Sequence, residues 1–221
     1  MFFKPSKLAV ALAITVLFSS FSTVQASSSE VTDGMKNTID QILLVIKEES
    51  GKKARREKLQ GIVDKKFDYI EMAKRALATN WNDRTPEERK EFSDAFGRLL
   101  KNTYITKIER YTDERVDYVH EDITENGVAT VKTLIVKKED SIPVDYKLLK
   151  KQQDWLCYDF VIENISMIRN YRSQFAKIIK DSSYEKLLER MKDKIKKLEE
   201  EYEKSDGIQN NGKKAGSFED I

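Results

Sequence analysis

Residues 154–180 read DWLCYDFVIENISMIRNYRSQFAKIIK, a strand that turns directly into a helix. From Trp155 to Ile162 nearly every residue is apolar or aromatic. Strict alternation sends Trp155, Cys157 and Val161 to one face and Leu156, Tyr158, Phe160 and Ile162 to the other. A strand wet on one side carries polar residues at every second place; this one asks for apolar cover on both. Ser166 then caps a helix with Ile168, Tyr171, Phe175, Ile178 and Ile179 on one stripe. Arg169 and Arg172 sit near its start.

Before this strand the chain supplies the rest of a sheet. After Asp113 the apolar period falls to two, and Asn126-Gly127 is a strong hairpin signal. Strands are expected over 128–138 and 141–150, the latter interrupted at Pro143 or starting after it because proline lacks an amide donor. Short connections then give a four-stranded antiparallel meander.

Helices come before and after. Thr32 or Asp33 caps a first helix carrying Met35, Ile39, Ile42, Leu43 and Ile46. A basic segment, Lys52 to Lys58, opens the second, and a charge run of this kind reads as a solvated face. Phe67, Ile70, Met72, Ala73 and Leu77 mark a third. Thr85, Pro86 and Glu88 form a capping box with proline at the first helical position. Phe92, Phe96, Leu99, Leu100 and Tyr104 follow on one face. A last helix from Ser182 or Ser183 carries Leu187, Met191, Ile195 and Tyr202 beneath a dense Lys/Glu face. The fold class is α+β, with a helical part over 31–111, a sheet over 113–162 and helices over 166–204. Residues 205–221, rich in Gly, Asn and Ser, are expected to be disordered.

Residues 1–26 read as a cleaved signal peptide: Lys4 and Lys7, an apolar run from Leu8 to Phe18, and Val24-Gln25-Ala26 before Ser27. The run is too short for a permanent transmembrane helix, and no Cys follows it to carry a lipid. An exported protein of a bacterial periplasm is expected. About 195 residues remain, enough for one sizeable domain or two small lobes. Removing the two leader lysines takes the net charge of +2 to near neutrality, which argues against a nucleic-acid partner. Cys157 is the single cysteine, so no intramolecular disulfide forms, and its place in an apolar strand reads as a buried structural thiol.

The sequence lacks the usual chemistry of enzymes. His120 is the sole histidine and has no nucleophile motif near it. No histidine- or cysteine-rich metal site can be built, and no phosphate-cradling or dinucleotide glycine pattern occurs. Carboxylates fall on charged helix faces. No catalytic residue, metal or cofactor is assigned.

Two readings of the apolar excess stand side by side: an ordinary core between sheet and helices, or a cavity for a lipid. Moving about thirty methylenes through water costs on the order of 20–25 kcal/mol. A soluble carrier must therefore swallow the tails in a deep, dry pocket with polar groups only at its mouth.

The chain resembles the MlaC-type family, the toluene-tolerance auxiliary proteins. The blocks that carry the likeness are FDYIEMAKRALATNW at 67–81, TPEERKEFSDAFGRLLKNTY at 85–104, IPVDYKLL at 142–149 and WLCYDFVIENISMIRNYRSQF at 155–175. Their order makes the likeness specific, and it spans about 31–188. The family pattern usually has Gly where Ala78 and Asn164 stand, both at turns; Asn tolerates a left-handed backbone and Ala does so poorly. The charged helix and tail beyond about Leu188 exceed the usual family length.

The resemblance implies a twisted antiparallel sheet related to the NTF2-like cone, with a helical subdomain enclosing a hydrophobic cavity. It implies a monomeric periplasmic phospholipid carrier without covalent chemistry. The partners it implies are an inner-membrane ABC transporter complex with an MCE component and an outer-membrane lipoprotein complex. The residues expected to line the lipid tails are Phe96, Leu100, Tyr104, Leu134, Val144, Tyr146, Trp155, Tyr158, Phe160, Ile168, Tyr171 and Phe175. Arg169 and Arg172 are expected either at the head group or in structural ion pairs. A carrier of another lipid such as a hopanoid, an enzyme on an NTF2-like cone and a plain interaction protein with a filled core are the competing readings.

Overall fold

A computed structural model describes residues 29–111, 115–138 and 140–207. The expected signal peptide and most of the expected tail lie outside them. Helices α1 (Glu30–Glu48), α2 (Lys52–Lys66), α3 (Tyr69–Leu77) and α4 (Pro86–Ile108) come first. Strands β1 (Arg115–Ile123), β2 (Val128–Val136), β3 (Ser141–Lys151) and β4 (Asp154–Ile162) follow, then β5 (Ile165–Ser166) and helices α5 (Met167–Asp181) and α6 (Tyr184–Gly207). The strands form one open antiparallel sheet in the order β1-β2-β3-β4-β5. The expected four-stranded meander thus gains a two-residue fifth strand. It forms because Glu163 and Asn164 both adopt positive φ (49° and 68°) and fold the chain back after Ile162.

Local chemistry sets the helix ends. Thr85 and Glu88 close the expected capping box of α4, and Ser166 caps α5. Helix α1 starts earlier than the periodicity suggests, with Ser29 as its cap. The reason is a distant carboxylate: Glu121 on β1 accepts from the Ser29 hydroxyl, the Thr32 amide (2.9 Å) and the Thr32 hydroxyl (2.6 Å). Helix α6 runs to Gly207, past the boundary at 204.

Pro143 does not interrupt β3. It pairs with Leu134, and its carbonyl accepts from Glu163 N–H at 3.1 Å. The amide and carbonyl of a strand residue point the same way, so the missing donor faces the end of β4, where no ladder bond is required. Helix α3 buries Met72, Ala73, Ala76 and Leu77, while Ile70, expected on that face, is 63% exposed.

The main departure from the expected pattern is in β4. The register slips between Lys147 and Leu148, so Tyr158 is bulged out of the ladder. Parity changes there. Trp155 and Cys157 share a face with Phe160 and Ile162, opposite Lys150, Leu148, Tyr146 and Val144. Strict alternation would have split these four between two faces. On the other face, Leu134, Lys132, Asp145 and Lys147 alternate charge with aliphatic surface.

The bulk of the core is a cluster built by α3, α4, α5 and α6 with Phe160 of β4. Its centre is aromatic: the Phe175 ring stands 5.7 Å from that of Phe92, 5.4 Å from Phe96 and 5.5 Å from Tyr171. A second cluster places Val31, Met35 and Ile39 of α1 on Ala129, Val131, Leu148 and Trp155. A third joins Leu59 and Val63 of α2 to Ile105 of α4 and to Ile42, Val45 and Ile46 of α1.

Ala78, at the C-cap of α3, adopts φ 51° and ψ −122°, a conformation that glycine enters freely and alanine resists. Its side chain is exposed. Ala78→Gly is therefore expected to stabilise the protein by about 1 kcal/mol. Thermal unfolding followed by circular dichroism should show a rise of about 2–4 °C.

Candidate functional site

The apolar sheet face that carries Trp155 and Phe160 meets two fates along its length. At one end α1 covers it with Val31, Met35 and Ile39. At the other, Val116, Ile135, Ile142, Val144, Tyr146, Phe160 and Ile162 face a cavity of about 500 Å³, within the range of small-molecule sites. Ile39, Ile42, Leu43 and Ile46 of α1 form its opposite wall. Leu100, Tyr104, Ile105 and Ile108 of α4 form the side, and Val63, Phe67, Tyr69 and Met72 close the end near α2 and α3.

The bulge at Tyr158 is what turns Phe160 toward this space. There Phe160 meets the Tyr104 ring edge-on at 4.8 Å and that of Phe67 at 6.2 Å. The edge of β4 is sealed by Phe67, which bridges to Cys157, and by the Asp68 amide donating to the Cys157 carbonyl at 2.9 Å. Gly97 lets α3 approach α4 closely, since a Cβ there would stand 3.1 Å from the Tyr69 ring.

The interior holds no fixed charge. Burial pushes the hydroxyls of Tyr69, Tyr104 and Tyr146 well above the usual phenol range, so they stay neutral. Ionic side chains line only the edges: Lys101, Lys107, Arg110, Lys137 and Glu163. Lys101 pairs with Asp64 at 2.9 Å. Burial, and secondarily the neighbouring charge of Arg110, lower the pKa of Lys107.

The residues expected at a lipid site separate into groups. Leu100, Tyr104, Val144, Tyr146 and Phe160 are together in the cavity wall. Phe96, Ile168, Tyr171 and Phe175 do not line it; they are packed in the filled aromatic core between α4 and α5. Trp155 shares the inward sheet face but lies at the end closed by α1. Tyr158 is bulged, and its ring stacks under the Arg75 guanidinium at 4.0 Å. Leu134 pairs with Asp117 and Pro143 on the opposite sheet face. Arg169 and Arg172 are exposed and outside the lining. Arg172 donates instead to the Arg75 carbonyl at 2.7 Å, and the Arg169 amide donates to the Ser166 hydroxyl at 3.1 Å.

Two contributions escaped the sequence reading. The α1 wall looked like ordinary core because its stripe has the same spacing. The rim cations were passed over, although Lys107 and Arg110 stand three apart at the end of an apolar helix, on one side of it.

The titratable candidates elsewhere are accounted for locally. His120 is exposed on the outer sheet face, with Nε2 2.9 Å from Asp122. Cys157 is buried and donates to the Asp159 carbonyl at 3.2 Å; burial pushes its thiol up to about 12. Asp159, also buried, accepts from the Ser166 hydroxyl at 2.7 Å and the Ile168 amide at 3.1 Å, tying β4 to the start of α5. Among the described residues no cluster of His, Cys, Asp and Glu is arranged to hold a metal ion, and no helix is long and apolar enough to cross a membrane.

Comparison with known proteins bears on this cavity. The family model described as MlaC protein matches residues 36–193. The chain belongs to the MlaC family. MlaC residues 36–193 take in every wall of the cavity except Met35 at its edge. Among solved structures, a phospholipid-binding protein from Ralstonia solanacearum, determined in complex with a phospholipid, superposes with a TM-score of 0.71. It is 21% identical and covers 77% of this chain and 99% of its own. The α+β architecture with its open sheet is thus a shared fold. A search of curated proteins gives no match.

Core and cavity wall should answer differently to truncation. Phe175→Ala, in the filled aromatic core, is expected to cost about 3–5 kcal/mol. Ile142→Ala removes a side chain that already borders empty space and forfeits fewer contacts; it should cost less than half as much. Urea unfolding midpoints of the two variants provide the check.

Proposed function

We propose that the protein is a periplasmic phospholipid carrier that shields acyl chain in the cavity between α1, α4 and the sheet. The observation that carries the reading is the combination of a space of about 500 Å³ walled by aliphatic and aromatic side chains with ionic groups confined to its edges. Such a site dries a hydrocarbon chain and leaves a polar head in water. Each buried methylene contributes about 0.8 kcal/mol, so a tail held along its length is retained against water. Membership of the MlaC family and a structural relative solved with phospholipid support the same ligand class.

In this reading residues 1–26 direct export, and the mature chain shuttles lipid between an inner-membrane ABC complex with an MCE component and an outer-membrane lipoprotein complex. Its role is to maintain outer-membrane lipid asymmetry. The chain's own part is binding rather than catalysis: no group on the cavity wall is placed to act as nucleophile or acid–base pair. Transfer then depends on which membrane complex offers the tail a better environment.

Organic extraction of the purified protein followed by mass spectrometry is expected to yield phospholipid. Ile42→Trp, which fills the cavity from the α1 side, should reduce that lipid and uptake from vesicles by at least about tenfold, as a lost cavity contact of roughly 1.4 kcal/mol would do, while the circular dichroism spectrum stays native. Absence of lipid in the wild type together with absence of uptake would exclude the carrier reading.

A further inference from the structure

We propose that Lys107, Arg110 and Lys137 form a phosphate-binding rim that fixes the orientation of the bound lipid and favours a net-anionic head group; the proposal rests on the carrier reading above. Four ionic side chains gather where α4 ends and β2 and β4 run out: these three cations and Glu163. The fifth ionic lining residue, Lys101, is engaged by Asp64. The cavity therefore has an acid-paired edge and an edge with excess positive charge. A tail entering the apolar interior leaves its phosphodiester at one of them, and Coulomb attraction selects the second.

The rim cations are held in place. The Lys107 ammonium lies 5.7 Å from the Tyr104 ring centre, and that of Lys137 lies 5.8 Å from that of Tyr111. Tyr104 and Tyr111 both line the cavity, so these contacts keep the ammonium groups at its edge. Lys107 is half-buried beside Arg110, and both burial and that like charge disfavour its charged form. Bringing like charges together at a partly desolvated place is unfavourable by itself, and an oxyanion between them reverses the sign. The guanidinium of Arg110 adds paired donors suited to phosphate oxygens. A zwitterionic head group neutralises the phosphate by itself and leaves only Glu163 to receive its ammonium. A head group of net charge −1 makes fuller use of three cations against one carboxylate.

The test offers the delipidated full chain mixed vesicles of phosphatidylglycerol and phosphatidylethanolamine at low salt and measures the lipid taken up by mass spectrometry. The wild type is expected to enrich phosphatidylglycerol by about fivefold, the scale of exposed charge contacts, and to lose the enrichment as salt is raised. The triple variant K107Q/R110Q/K137Q should take up the two lipids in their vesicle ratio. The variant R169Q/R172Q, whose changes lie away from the cavity, should enrich as the wild type does. An unchanged preference in the triple variant, or no preference in the wild type, overturns the proposal and leaves the carrier reading standing. Uptake of neither lipid by the wild type defeats the carrier reading itself. Inorganic phosphate titrated into the lipid-free protein should bind far more weakly than lipid; binding as tight as lipid would make the rim a free-phosphate site and overturn the assignment to a head group.

Discussion

One helix cannot cover this sheet. The apolar face of β1 to β4 has to be dried along its whole length, yet α1 follows it for only part of the way. At its start α1 is pinned by Glu121, the carboxylate on β1 that collects the Ser29 and Thr32 donors. A carboxylate on the inward face, paired with Val131, is tolerated because it takes the orphan donors of a helix N-terminus. From there Val31, Met35 and Ile39 lie on the sheet. Two turns later Ile42, Val45 and Ile46 belong with Leu59, Val63 and Ile105 of α2 and α4. Strands twist whereas a helix runs nearly straight, so the helix leaves the sheet and an apolar gap opens between them.

The other half of the molecule is filled, and this makes the gap a site. Asp159 joins β4 to the start of α5 through Ser166 and Ile168. The bulge one residue earlier turns Phe160 inward. Phe160 then belongs to both regions, packing into the aromatic cluster and bordering the cavity. A close-packed core transmits strain and does not collapse into a neighbouring space. The void persists because its walls are fixed from behind, and a hydrocarbon chain restores the contacts that those walls lack. Binding in such a place stabilises the folded protein through linkage.

How far the sequence foretold this follows from the kind of signal each feature leaves. Thr85, Pro86 and Glu88 have one good use, and they were legible at sight. So were the Asn126-Gly127 turn, with Gly127 at φ 70°, and Ser166. Asn164 and Ala78, where the resembled family carries glycine, both turn out to have positive φ. The bulge at Tyr158 left no trace, because a strand apolar on both faces has no polar residue to mark a change of parity. The aromatic stripe of Phe96, Tyr171 and Phe175 was assigned to a cavity wall for a related reason. Filled core and empty pocket select the same side chains; only the third dimension separates them. Leu100 and Tyr104 stand on the same helix as Phe96, yet the cavity begins only after the helix passes α5. The arginines of α5 drew attention by charge, while the charges that meet the cavity are at the end of α4, 60 residues earlier in the chain by the distance from Lys107 to Met167.

The C-terminal helix bears on the same geometry from outside. The family match ends at residue 193, but α6 continues to Gly207. Its added turns are not idle surface. Glu199 meets Arg98 at 2.8 Å and the Asn102 amide at 3.0 Å, both on α4. The Tyr202 hydroxyl donates to the Lys52 carbonyl at 2.9 Å, and the Arg56 guanidinium stacks 3.6 Å from the ring. These contacts fasten α6 to the first turns of α2 and to the middle of α4. Helix α2 supplies Val63 to the cavity and α4 supplies Leu100, Tyr104 and Ile105. The basic segment at Lys52 to Lys58 thus has a partner, and it is aromatic rather than acidic at Tyr202. An extension that never touches the cavity fixes the spacing of two helices that wall it, so the length of α6 and the width of the lipid space are mechanically joined.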